Sequence, residues 1–234
     1  MRDEVKRGVR MVKLFVTGGH GTTAPTSQIE MTRDELDAVV ETAHARGALV
    51  RGHLVNKVAI LMALDAGVDV IDHADEMDDE CMDRMVATGA SVVPSCAFPA
   101  AFLELMGGRG LGFTDSMRAE LDRVLRVLPR ANALGVNLVL GDDYGAVGFP
   151  HGRYAHELDL YVRHAGIPPL DVLRWATVNG AALMGREDEL GRVAPGYLAD
   201  LLVVDGDPSH DVTLLQDRDN LVGIMTGGTW YKAP

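Results

Sequence analysis

Five short apolar runs, MVKLFVTG, ALVRGH, VDVIDH, ASVVPS and VNLVLGDD, are spread between residues 11 and 143. The stretches between them carry helical patterns that stop at Gly47, Gly67, Gly89 and Gly135. The first of these opens on Thr32 with Glu35 three residues later, the spacing of a capping box. Strands too short to fold back on themselves, separated by helices of ten or more residues, leave few solutions. The chain must build a parallel sheet joined by right-handed crossovers. Two more helices are predicted near 153–165 and 169–184.

After residue 190 the rhythm breaks. GRVAPGYLADLLVVDGDP, LVGIMTGG and TWYKAP read as short antiparallel strands with Gly, Pro and Asp turns. The expected organisation is therefore a β/α segment over 1–189 and a small β segment over 190–234.

Composition narrows the function classes. With 47% apolar and 24% charged residues in 234, the chain can bury a sizeable core. A net charge of −12 argues against nucleic acid or an anionic membrane as the main partner. No apolar run approaches the roughly 18 residues of a membrane span. The charged opening, MRDEVKRGVRM, lacks the apolar core of a signal peptide. Cys81 and Cys96 stand in unrelated contexts, so neither a disulfide framework nor a cysteine metal site is expected. A reduced, cytoplasmic protein is the resulting expectation.

Polar residues stand at the ends of the apolar runs: His53, His73, Asp142 and Asp143. The C-terminal ends of barrel strands are where chemistry is placed. Either histidine alone reads as an ordinary polar strand end. Both together, with an acid after a later strand, read as ligands for a divalent metal. Adjacent acids after a strand often cap a helix or face solvent. Alternatively one of them would bind that metal and accept a proton from water; the pair leans towards Asp143, with Asp142 as an acid supporting the ligands from behind or a solvated one. Lys13, inside an apolar strand, faces either solvent or a functional cavity. His20, His151 and His156 lie in or near mouth loops, where His20 and His151 are candidate substrate contacts. His44 and His164 sit within helices, and His210 belongs to the β segment. The run Gly19–Ala24 fits G-x-G-x-x-A, but Pro25 follows at once and no helix opens there. A dinucleotide site is thereby disfavoured.

The ordered set VKLFVTGG, VRGH, VIDHADEMDDE, LVLGDD and LGRVAPGYLADLLVVDGDP resembles the C-terminal part of the metal-dependent amidohydrolase superfamily. The imidazolonepropionase-like and Xaa-Pro dipeptidase-like branches are the most similar. That resemblance implies strands four to eight of a TIM-type (β/α)8 barrel followed by part of a small β-sandwich. It implies metal ligands at Lys13, His53, His73 and Asp143, with Lys13 N-carboxylated in binuclear members and Asp143 also the general base. It implies hydrolysis of an amide, cyclic amide or ester by water activated on one or two divalent ions, zinc first among them. The family's His-x-His motif does not occur in this sequence. The alternative is therefore a catalytically incomplete chain that needs a complementing N-terminal half. Open sheet edges favour self-association.

Overall fold

A computed structural model describes residues 1–19, 24–106, 112–141, 143–145 and 149–234. The chain divides into two compact units, Met1–Leu138 and Val139–Pro234.

The first unit opens with a one-turn helix, α1 (Arg2–Lys6), which the sequence pattern did not signal. It continues β1 (Met11–Phe15), α2 (Arg33–His44), β2 (Leu49–Leu54), α3 (Lys57–Ala66), β3 (Val70–His73), α4 (Asp79–Thr88), β4 (Ser91–Val93), α5 (Ala97–Met106), α6 (Thr114–Leu134) and β5 (Asn137–Leu138). The five strands form one parallel sheet in the order β1-β2-β3-β4-β5. Doubly wound sheets reverse their strand order at a switch point, whereas barrel strands add in chain order. This sheet has no reversal, in agreement with the expected run of barrel strands.

Local sequence explains the helix boundaries. Thr32 accepts from the Glu35 amide while the Glu35 carboxylate takes the Thr32 amide, so the capping box forms as read. Asn56 accepts from the Ala59 amide and caps α3, and Asp78 accepts from the Cys81 amide and caps α4. The apolar stripe of α2, led by Leu36, Val40 and Ala43, is buried, as are Ala59, Ile60, Ala63 and Leu64 of α3. β3 is buried along its whole length. Burying a Leu or Ile side chain contributes about 1.5–3 kcal/mol each, so these rows dominate the unit's stability.

The second unit contains α7 (Ala155–Ala165), α8 (Pro169–Arg174), α9 (Gly180–Leu183) and a three-stranded antiparallel sheet of β6 (Leu201–Val204), β7 (Leu221–Thr226) and β8 (Thr229–Lys232). The helix expected over 169–184 forms, with a π-helical turn at Trp175–Asn179 between α8 and α9. β7 and β8 are joined by Gly227 and Gly228 alone, with φ of 54° and 80°. Two consecutive positive φ values are what a tight hairpin of this length demands, and glycine adopts them without strain. Among the described residues no helix is long and apolar enough to cross a membrane.

Candidate metal centre

The parallel register places a row of polar groups on one face of the first unit's sheet. Lys13 lies opposite Arg51 and Phe15 opposite His53, while His53 lies opposite Asp72. Partners in register, and residues two apart along a strand, share a face. Alternation thus sends Lys13 to the side away from Val12 and Leu14, where it is exposed.

The partner of Lys13 is Asp72. The Lys13 ammonium donates to Asp72 Oδ2, and Arg51 Nε donates to both carboxylate oxygens at 2.7 and 2.8 Å. Asp72 is 1% exposed, so its charge would be costly without these two cations. Arg51 matches the carboxylate in the two-pronged geometry that a guanidinium allows, and it carries more of the pairing than the half-exposed lysine. Phe15 stacks on His53 with centroids 4.9 Å apart, and the Lys13 ammonium lies 5.9 Å from the Phe15 ring.

His53 and His73, at the ends of neighbouring strands, are brought together. Both are 6% exposed, and their rings meet edge to face. His53 Nε2 stands 3.0 Å from the Gly18 carbonyl oxygen. A carbonyl only accepts, so Nε2 carries a proton, and in the neutral ring Nδ1 is the nitrogen with the lone pair. This is the outer hydrogen bond by which ligating imidazoles are commonly oriented. Backbone strain marks the same place: His73 and Ala74 have φ of 71° and 57°, and Ser95, just past β4, has φ of 54°. None is glycine, and such conformations concentrate where a side chain must be aimed. Two neighbouring imidazoles, one with its tautomer fixed, fit a borderline divalent ion. Among the described residues, no three His, Cys, Asp or Glu side chains gather closely enough to hold one.

Most of the acidic run after His73 has structural partners. Asp78 caps α4 and, with Glu80, receives Lys57 at 2.6 Å. These acids hold the Lys57 ammonium well above its usual range, through hydrogen bonds first. The same lysine keeps the Asp78 carboxyl below its usual range. Glu76 pairs with Arg123 at 2.9 Å.

Of the candidates in the second unit, Asp143 is exposed and adjoins Tyr144, whose hydroxyl donates to Glu157 Oε2 at 3.0 Å. His151 is exposed, with Nδ1 3.2 Å from the Tyr154 hydroxyl. His20, Asp142 and most of the Gly19–Ala24 run lie outside the described residues. His156, near the same loops, has its pKa pushed below the usual imidazole value, by burial first and by the nearby Arg153 second.

Sequence reasoning missed Arg51, Asp72 and Glu157. A second cation inside ALVRGH was the available signal for Arg51. An acid directly before a strand-end histidine was the signal for Asp72. For Glu157 there was none, since an acid in the first turn of a helix is ordinarily solvated.

Comparison with known proteins bears on the family and the fold. The family model described as "Amidohydrolase family" matches residues 2–231. The ochratoxinase of Aspergillus niger is 27% identical over 238 residues, covering 100% of this chain and 48% of its own length. Its crystal structure superposes with a TM-score of 0.89 at 26% identity, covering 100% of this chain and 53% of that one. A Xaa-Pro dipeptidase structure with methionine bound in its active site gives a TM-score of 0.87 at 29% identity, covering 99% of this chain and 57% of that one. The imidazolonepropionase of Symbiobacterium thermophilum is 27% identical over 175 residues, 74% of this chain and 37% of its own length. The chain thus spans about half the length of the ochratoxinase it matches.

Proposed function

Because this chain belongs to the amidohydrolase family, we propose that it acts in the metal-dependent hydrolysis of an amide-type carbon–nitrogen bond in a small molecule. The observation that carries this reading is the His53–His73 pair, two buried imidazoles edge to face at neighbouring strand ends. In this proposal both histidines would hold a divalent ion, zinc first, and Lys13 would join them as a carboxylated ligand. To do so Lys13 would leave Asp72, give up its ammonium proton and add carbon dioxide with loss of a second proton, forming a carbamate. Arg51 would then remain as the counter-ion of Asp72. When bound, such an ion supplies a Lewis acid for the scissile carbonyl and a water acidic enough to be a nucleophile at neutral pH.

The chain's own residues have the following parts. The Gly18 carbonyl holds His53 in one tautomer. Phe15, stacked on His53, covers one face of its ring and keeps water from it. Asp143 takes a proton from the attacking water and passes it to the leaving nitrogen. His151 and His20 contact the substrate.

A second reading is that the chain is half of a longer catalytic unit and needs a complementing N-terminal segment. It is favoured by the 48% coverage of the ochratoxinase and by the absence, among the described residues, of any three His, Cys, Asp or Glu side chains gathered closely enough to hold a metal ion.

Elemental analysis after dialysis against zinc, with an H53A/H73A variant alongside, tests the metal assignment. Zinc retained by the parent chain and lost by the variant supports it; equal retention by both overturns it. A panel of N-acyl amino acids and Xaa-Pro dipeptides then tests turnover. Running that panel with and without a polypeptide covering the segment that relatives carry beyond this match separates the two readings.

A further inference from the structure

We propose that Glu157 is a positioning residue for the loop that presents Asp143, acting through Tyr144. The inference rests on the reading of Asp143 as the proton acceptor, but the geometry that suggests it is independent of any metal.

Glu157 stands in the first turn of α7, where an acid ordinarily faces water and the helix dipole favours it. Here it is 0% exposed. A carboxylate in that position is tolerated only if its oxygens find donors. Each oxygen has one: Tyr144 donates to Oε2 at 3.0 Å and Tyr161 to Oε1 at 2.7 Å. The two phenols differ in what they secure. Tyr161 lies on α7 itself, one turn on, fully buried and edge to face with Trp175. It fixes the carboxylate from the interior side. Tyr144 comes from the loop directly after Asp143, and its ring stacks on Phe149 at 4.6 Å and meets Tyr154 edge-on at 4.5 Å. Its hydroxyl also lies 3.4 Å from the Tyr154 carbonyl oxygen.

Nearby, the Gly145 amide donates to the Phe149 carbonyl at 2.8 Å. A Cβ at Gly145 would come within 2.8 Å of His151 Nε2, so the candidate substrate histidine packs against this same turn. Asp143 is exposed. It directly precedes Tyr144 in the chain, so whatever holds Tyr144 also constrains where the Asp143 backbone stands, and Glu157 is the buried acid whose oxygen receives the Tyr144 hydroxyl. A helix that merely needed to fold would place an apolar residue at this site at no electrostatic cost.

The test compares backbone hydrogen exchange of the full chain, without added metal, in E157A, E157Q and Y144F. Glutamine can keep both contacts, accepting from one phenol and donating to the other. Y144F removes only the loop's hydroxyl. Loss of a charge-assisted hydrogen bond to the loop should speed exchange at residues 139–145 by about tenfold or more in E157A and Y144F. E157Q should stay within about twofold of the parent, and α8 should be unchanged throughout. Exchange that rises evenly across 139–234, or a Y144F profile equal to the parent, overturns the proposal. If E157A does not fold, Y144F and E157Q decide it. In a preparation shown to turn over substrate, Y144F should lower kcat with KM nearly constant. Unchanged exchange refutes the positioning role. Altered exchange with unchanged kcat refutes instead the role given to Asp143.

Discussion

The imidazole rings of His53 and His73 lie with centroids 4.4 Å apart and planes at 66°, the second ring aimed by a residue whose own φ is 71°. A left-handed histidine at a strand end costs on the order of 1–3 kcal/mol. The fold accepts that cost at the point where the sequence places its two strand-end imidazoles side by side. On the other flank, Gly18 does the complementary work by holding His53 through its carbonyl oxygen.

That dependence makes Gly18 a sensitive position. A Cβ there would run into the backbone carbonyl oxygens of Ala24 and Pro25. Backbone cannot swing aside as a flexible side chain can, so Gly18→Ala must shift the turn and the carbonyl with it. Urea denaturation should show a loss of about 2–4 kcal/mol. If the proposed metal centre forms, its zinc affinity should fall about tenfold or more, because the orienting bond to His53 is lost. An unchanged melt would mean the turn relaxes freely.

The charge cluster under the histidines supplies a second prediction. Asp72 takes Arg51 through both carboxylate oxygens, while the Lys13 pairing involves one oxygen and a side chain 42% exposed. Removing one partner of a buried charge is costly, and removing a solvated one is not. Arg51→Met should therefore destabilise by about 2–3 kcal/mol, and Lys13→Met by less than about 1 kcal/mol. Adding Asp72→Asn to Arg51→Met should restore part of the loss in a double-mutant cycle, because no unpaired carboxylate is left behind.

The parallel sheet was legible in the sequence because each strand announces itself by apolar content, α2 by its capping box, and several helices by the glycine that follows them. Thr32, Asn56 and Gly135 all behave as local rules require. The histidine pair was legible too, since strand ends of a parallel sheet converge whatever their neighbours are. What composition and periodicity could not show is cross-strand pairing. Lys13 reads alone as an anomaly in an apolar strand, and only the register that sets Lys13, Arg51 and Asp72 on one face reveals its partner. β5 pairs over two residues where the apolar run suggested more, because the ladder depends on β4, itself three residues long. Glu157 was invisible for a related reason: the residues that bury it come from a loop and from the interior of the second unit.

A pH prediction concerns His156. Its Nδ1 is buried with no hydrogen-bond partner among the described residues, and burial followed by Arg153 holds its pKa below the ordinary 6.5. Below that ordinary value the unfolded chain binds a proton that the folded chain resists. The contribution of His156 to stability is thus fully present above pH 6.5 and lost as pH falls towards the folded pKa. Denaturation midpoints of the parent chain should drop between about pH 7.5 and 5.5 by more than those of His156→Gln, which has nothing to titrate there. Parallel slopes for the two proteins would show that His156 is not the group responsible.

Asn56 allows two functions of one side chain to be separated. Its Oδ1 accepts from the Ala59 amide at 2.9 Å and caps α3, and its Nδ2 donates to the Thr26 carbonyl at 2.9 Å. Thr26 is tied in turn to Glu120 of α6 through its hydroxyl at 2.7 Å. The side chain therefore joins the start of a helix to the segment after β1. Serine keeps a capping oxygen but cannot reach with a donor; alanine loses both. Asn56→Ala should cost about 1–2 kcal/mol, and Asn56→Ser roughly half of that or less. Hydrogen exchange distinguishes the parts: residues 24–29 should exchange faster in both variants, while the first turn of α3 should loosen only in Asn56→Ala. Protection of 24–29 that survives in Asn56→Ser would assign the segment's order to Thr26 and Glu120 rather than to Asn56.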